Sequence, residues 1–247
     1  MEIGGNKVMR HNVKYTPYFC ALWVIILPFA FYEAVSLALI FLAYFLFQGV
    51  GIGIGLHRVV CHDLKIAAPL KHLSVFLGIM THSGGVKNSA LSHVQHHHYA
   101  DTEKDIDKKR GMIGKLSTLS MSSKRQMIER INRDKLMLMM DDRYYAIFFA
   151  FYAACFIIFG LNFLFYVVLP ASFAAYFHNY VASRYLHSTG YKNFDVADGS
   201  TNSVLLFPLM FGENWHNNHH GLLSNNNAFR WWEVDVLDWV CKPFYTK

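Results

Sequence analysis

Two long stretches of this chain carry almost no charge, and they dictate most of what it can fold into. From Tyr15 to Leu56 the only charged side chain is Glu33, and from Tyr144 to Ser183 there is none. A helix needs roughly 20 apolar residues to cross a hydrocarbon core ~30 Å thick, so each stretch is long enough to cross twice. Backbone inside lipid must satisfy its own hydrogen bonds, which makes helices the default over open strands. The expectation is an all-α integral membrane protein of four transmembrane helices, over about residues 16–32, 34–56, 144–160 and 163–186, in one domain covering 1–247. Glu33 and the pair Gly160 and Asn162 mark the turns of the two hairpins.

All 23 Lys and Arg residues lie outside the two stretches. Folded as hairpins, the stretches leave every basic residue on one side, and the positive-inside rule makes that side cytoplasmic, together with both termini. The net charge of +6 therefore sorts by membrane side and does not call for nucleic acid. No small-residue cleavage site follows the first apolar run, so a removable secretory signal is not expected. The four cysteines, Cys20, Cys61, Cys155 and Cys241, have neither disulfide nor zinc-ribbon spacing and read as reduced thiols. Between Asp101 and Arg143 the segment KRQMIERINRDK has the mixed charge of a solvated or interfacial helix.

Histidine placement carries the chemistry. Of the 14 histidines, HRVVCH supplies His57 and His62 where the second span emerges, and HVQHHH supplies His93, His96, His97 and His98. WHNNHH adds His216, His219 and His220, and His187 stands at the end of the fourth span. Positions i, i+3 and i+4 share a helix face, so His93, His96 and His97 can converge, as can His216, His219 and His220. At roughly 100° per residue, His98 points about 140° away from His93. His57 and His62 are separated by the same angle, so either the helix ends between them or they serve neighbouring ions. His11, His72 and His82 stand singly and read as surface or interfacial residues, and His178 as a helix-packing one.

Neutral imidazole suits zinc, copper, iron and nickel, and the nine clustered imidazoles exceed what one ion can hold. A structural zinc site would take four ligands, usually with cysteine, so two metals is the economical reading. Ligating histidines generally donate their second ring N–H to a carboxylate or carbonyl. Asp63, Asp101, Asp105, Asp195, Asp198 and Glu213 are near enough in sequence to receive one.

The segments GLHRVVCH, HVQHHHYADTEKDID and FGENWHNNHH, in this order and interrupted by the third and fourth spans, resemble the membrane fatty acid desaturases of the acyl-CoA and acyl-lipid delta-9 type. HSTGYKNFD and RWWEVDVLDW extend the resemblance over about residues 40–240. It implies four transmembrane helices under a cytoplasmic helical cap, with two Fe ions held by His57, His62, His93, His96, His97, His187, His216, His219 and His220. It also implies the reaction: O2 and two electrons from a donor such as cytochrome b5 or ferredoxin remove two hydrogens from adjacent methylenes, leaving a cis double bond and two waters. The substrate would be a fatty acyl-CoA or acyl-lipid with its headgroup in water and its tail in a narrow apolar tunnel. Zn could replace iron in purified protein, since imidazole sites accept both. The host membrane would be the endoplasmic reticulum in a eukaryote, or the cytoplasmic or thylakoid membrane in a bacterium.

Three positions depart from the family pattern. Ser183 stands where the family usually has an asparagine joined to a metal through water, Ser89 where a tryptophan often lines the tunnel, and Val94 where arginine is common. No His-Pro-Gly-Gly haem motif occurs, so the electron donor would be a separate protein. A related di-iron lipid hydroxylase or ketolase uses the same histidine pattern and is the nearest alternative. A metal transporter fits less well, because transporters keep ionisable residues at mid-membrane and here only His178 lies within a span.

Overall fold

The computed structural model describes residues 2–3, 6–7, 37–105, 121–222, 224 and 226–246. The expected first span, 16–32, lies outside the described residues, as do Cys20 and His11. Among the described residues regular structure is helical, apart from a short antiparallel ladder that pairs β1 (Glu2–Ile3) with β2 (Asn6–Lys7).

The first apolar stretch yields α1 (Leu37–Tyr44), which runs unbroken into α2 (Phe45–Cys61), whose backbone hydrogen bonds reach five residues instead of four. Ala38–Cys61 is one 24-residue helical run, long and apolar enough to cross a membrane. Its alternating glycines bring a second helix, α3 (Ala68–Ile79), into backbone contact. A Cβ on Gly55 would stand 2.3 Å from the Ser74 carbonyl, and one on Gly51 would stand 2.8 Å from Gly78 N. Small residues at such crossings exchange side-chain volume for close packing.

The second apolar stretch begins after a polar pair of helices, α5 (Met121–Arg133) and α6 (Lys135–Asp142), which pack near α4 (Val86–Tyr99). The polar segment is more than a solvated face. Ile128 and Ile131 are each 1% exposed, and Arg130 reaches Asp63 at 2.9 Å. Asp134 caps α6 by accepting from Leu136 N and Met137 N, both at 3.1 Å, and ties the element to α3 through Lys71 at 2.6 Å and His72 at 3.0 Å. His72 is thereby accounted for without a metal.

Tyr144–Tyr185 is a 42-residue apolar run made of α7 (Tyr144–Phe163), α8 (Leu164–Val168) and α9 (Leu169–Tyr185). It is not one straight rod. Gly160 has φ 82°, which breaks the helix at the position expected for the hairpin turn. Tyr152 Oη lies 2.9 Å from Ser172 Oγ, so the segments on either side of the break run back along each other. His178 on α9 hydrogen-bonds Tyr44 of α1, the packing role its isolation suggested. Beyond α9, the short helices α10 (Phe207–Met210), α11 (His216–Leu222) and α12 (Val236–Cys241) gather against α2, with Leu237 fully buried beside Gly49 and Gly53.

Candidate metal centre

The wide turns of α2 decide how the first motif works. His62 N donates to His57 O at 3.1 Å, a bond spanning five residues, and the two imidazoles meet with ring centroids 4.8 Å apart. The α-helical angle that separated them does not apply, because in a wide turn residue i+5 stands over residue i. The helix also ends there, with His62 as its cap.

The nine clustered histidines come together in two groups. His57, His62, His93, His97 and His219 have ligand atoms within 4.8 Å of one another, and His96, His187, His216 and His220 form a second group within the same limit. Neither later motif serves one group alone. Positions i+3 and i+4 lie on opposite sides of position i, and the i+3 residue is the one that departs: His96 leaves His93 and His97 for the second group, and His219 leaves His216 and His220 for the first. His98 is exposed, with its ring against Tyr99.

Inside the groups the Nε2 atoms face each other: His62 and His93 at 2.7 Å, His187 and His216 at 3.0 Å, and His219 at 3.2 Å from both His57 and His97. On four of the nine rings the opposite nitrogen meets a carboxylate. Asp105 lies 3.2 Å from His96 Nδ1, Asp101 2.9 Å from His187 Nδ1, and Asp198 2.7 Å from His220 Nδ1, while Glu213 abuts His57 Nδ1. A neutral imidazole that donates Nδ1–H keeps a lone pair on Nε2. Where a carboxylate holds the Nδ1 proton, the inward Nε2 lone pair is free to bind a cation, and His220 Nε2 is buried with no hydrogen-bond partner among the described residues. Imidazole nitrogens sit ~2.0–2.1 Å from zinc and ligate iron at similar range, so two of them at right angles stand about 3 Å apart. The donor set therefore fits divalent first-row metal ions.

Burial disfavours the charged form of several of these rings. Burial, then the neighbouring imidazoles, push His62 down to about 3 and hold His93, His216 and His219 well below the ordinary histidine range. Burial opposes ionisation of Glu213 too, yet His57 and Arg58 hold it down to about 2. Asp198 is likewise kept ionised against its burial by His220 and Ser200.

Two of the candidate carboxylates do not belong to this ring. Asp63, at φ 59° just past α2, turns outward to Lys65 at 2.7 Å and Arg130 at 2.9 Å. Asp195 is exposed and contacts no histidine among the described residues. Sequence reasoning also missed a buried network. Arg58 is 2% exposed and holds Glu213 at 2.7 Å and Asp235 at 2.9 Å, which fastens α2 to the ends of the third motif and of the final segment. The signal was present in HRVVCH, since a basic residue inside an apolar helix demands carboxylate partners. The asparagines of WHNNHH brace the loops. Asn217 Oδ1 accepts from Asn193 N and Phe194 N, both at 2.8 Å, and Asn218 Nδ2 donates to Glu233 at 2.7 Å.

No family model matches the chain. A sn-1 stearoyl-lipid 9-desaturase of Anabaena variabilis is 31% identical over 85% of this chain and 79% of its own length. A second protein of that name, from a Synechocystis species, is 30% identical over 91% of this chain and 72% of its own. The chain belongs to the membrane fatty acid desaturase family. A sn-2 palmitoyl-lipid 9-desaturase of a Nostoc species, 24% identical, matches 99% of this desaturase and 90% of its own length.

Beside the histidines the desaturase has a cavity of about 190 Å3 between α2, α4 and α9, bounded by His57, His93, His96 and His216 at one end and reaching Gln48 on α2. Ser89 and Ser183 both line it, and Ser183 Oγ donates to Tyr180 O at 3.2 Å. The walls are not the uniformly apolar tunnel expected: Ile52, Leu56 and Met210 share them with serines, asparagines and tyrosines.

Proposed function

We propose that the chain is a delta-9-type acyl-lipid desaturase whose nine clustered histidines hold two iron ions. The observation that carries this reading is the gathering of those imidazoles into groups of five and four. Iron there would supply the O2-dependent oxidation that unactivated methylenes require, since no acid, base or nucleophile finds a foothold on them. Asp101, Asp105, Asp198 and Glu213 hold the Nδ1 protons so that the Nε2 lone pairs face inward. Arg58 keeps Glu213 ionised and fixed. The cavity walls hold the acyl chain against the histidines, and its register there selects the carbon pair. Ser183, four residues before His187 and in the cavity wall, is positioned to carry a water beside the second group.

The reaction balances when O2, two hydrogens from adjacent methylenes, two protons and two donated electrons yield the cis double bond and two waters. The electrons come from a donor such as cytochrome b5 or ferredoxin. A glycerolipid carrier is favoured over CoA because the three relatives are named for lipid-linked acyl chains. The proposal includes four spans, with the histidine centre under a helical cap at the cytoplasmic surface. Expression in a desaturase-deficient host with a competent donor, followed by fatty acid profiling, tests it. Monounsaturated acids carrying the bond at the ninth carbon are expected. Oxygen retained in the lipid would instead identify a hydroxylase, and an unchanged profile would end the desaturase reading.

A further inference from the structure

One wall of the cavity carries a group that the reaction does not use. Gln48 is 1% exposed, lines the cavity, and has no hydrogen-bond partner for Oε1 among the described residues. It precedes His57 by about nine residues, or roughly two turns of helix, so it is set back from the histidines. Ser89 and Ser92 on α4 and Asn179 and Ser183 on α9 line the same space. A buried carbonyl left without a donor is costly, and a plain hydrocarbon tail has no donor to offer.

We infer that the inner end of this cavity takes an O–H group held by the Gln48 amide, which makes Gln48 a determinant of which acyl chains are accepted. The inference rests on the desaturase reading for the direction in which the chain lies. Two sources supply the same chemistry: a hydroxyl carried on the acyl tail, or an ordered water that remains when a plain tail binds. In both cases a hydrocarbon segment long enough to reach the amide displaces the donor and is disfavoured.

The test compares wild type, Gln48→Leu and the unbranched Gln48→Met in a desaturase-deficient host, with protein amounts matched. The cells receive saturated fatty acids of graded length, and stearic acids hydroxylated at successive positions from mid-chain to the end. Both variants are expected to shift conversion toward longer plain acids by roughly tenfold, the effect of about one hydrogen bond. If the tail supplies the donor, wild type converts one hydroxylated isomer at least as well as stearic acid and the variants lose that preference. If water supplies it, wild type rejects every hydroxylated isomer. Identical length and hydroxyl preferences in all three proteins overturn the inference. Absence of unsaturated product from wild type sinks the desaturase reading instead. The inference is then decided by thermal stabilisation of purified protein with the same acids, whose length dependence must differ between wild type and Gln48→Leu.

Discussion

Glu213 joins two jobs in one side chain, since one oxygen meets His57 and the other meets Arg58. Removing it takes one of the two carboxylates that face buried Arg58, the other being Asp235, and breaking such a pair costs ~3–5 kcal/mol. Glu213→Ala is therefore expected to lower the melting temperature sharply as well as abolish activity, a combination read by thermal denaturation of the detergent-solubilised protein. Asp105→Asn is milder. It keeps the shape but weakens the hold on His96 Nδ1, and metal affinity should fall about 10- to 100-fold, measurable by competition with a chelating dye. The histidines themselves separate by position: His97→Ala should eliminate turnover, while His98→Ala, on the exposed side of α4, should leave it unchanged. Equal activities for these two variants would remove the assignment of the second motif.

Elements were legible where period and charge spoke plainly, and less so where backbone geometry departed from the ordinary. The uncharged stretch from Tyr144 to Ser183 announced a hairpin, and Gly160 supplies its break. The wide turns of α2 left no mark in residue type, so the pairing of His57 with His62 could not be read from helical angles. The second face of KRQMIERINRDK was partly visible, because Ile128 and Ile131 lie three apart, yet the partners of Arg130 required the fold. At this scale the crossing of α2 and α3 is the most demanding contact. A methyl on Gly55 meets the Ser74 carbonyl carbon and oxygen, backbone atoms that cannot rotate away. Overpacking of this kind costs typically ~1–3 kcal/mol, and Gly55→Ala should tilt α2 just before His57. The expected result is a protein that still folds but binds less metal, seen as a lowered metal-to-protein ratio at unchanged helical circular dichroism. Asp134→Ala, which strips both the cap of α6 and its tie to Lys71, should cost about 1–2 kcal/mol without touching metal content.

Taken as a whole, the molecule builds its centre from residues that lie as far apart in sequence as His57 and His220, so no single segment can hold a metal before the others arrive. Under the proposed reading, metal binding is part of the folding free energy of this end of the protein. Without a cation the His220 Nε2 remains buried and unsatisfied, at ~1–3 kcal/mol for such a group. For His93, His216 and His219, burial and the neighbouring imidazoles hold the ring well below the ordinary histidine range and so oppose relief through protonation. A metal held at a free concentration of 100 times its dissociation constant contributes about 2.7 kcal/mol per site. Stripping the protein with a chelator should therefore loosen the histidine end first, in α11 and in the loop from 186 to 203, while α7 and α9 keep their protection. Hydrogen exchange followed by mass spectrometry distinguishes the cases. Faster exchange confined to α11, that loop and the end of α2, reversed by restoring Fe2+ anaerobically, is the expected outcome. Identical exchange in loaded and stripped protein would mean that the nine imidazoles pack equally well without an ion, and the metal centre would lose its physical basis.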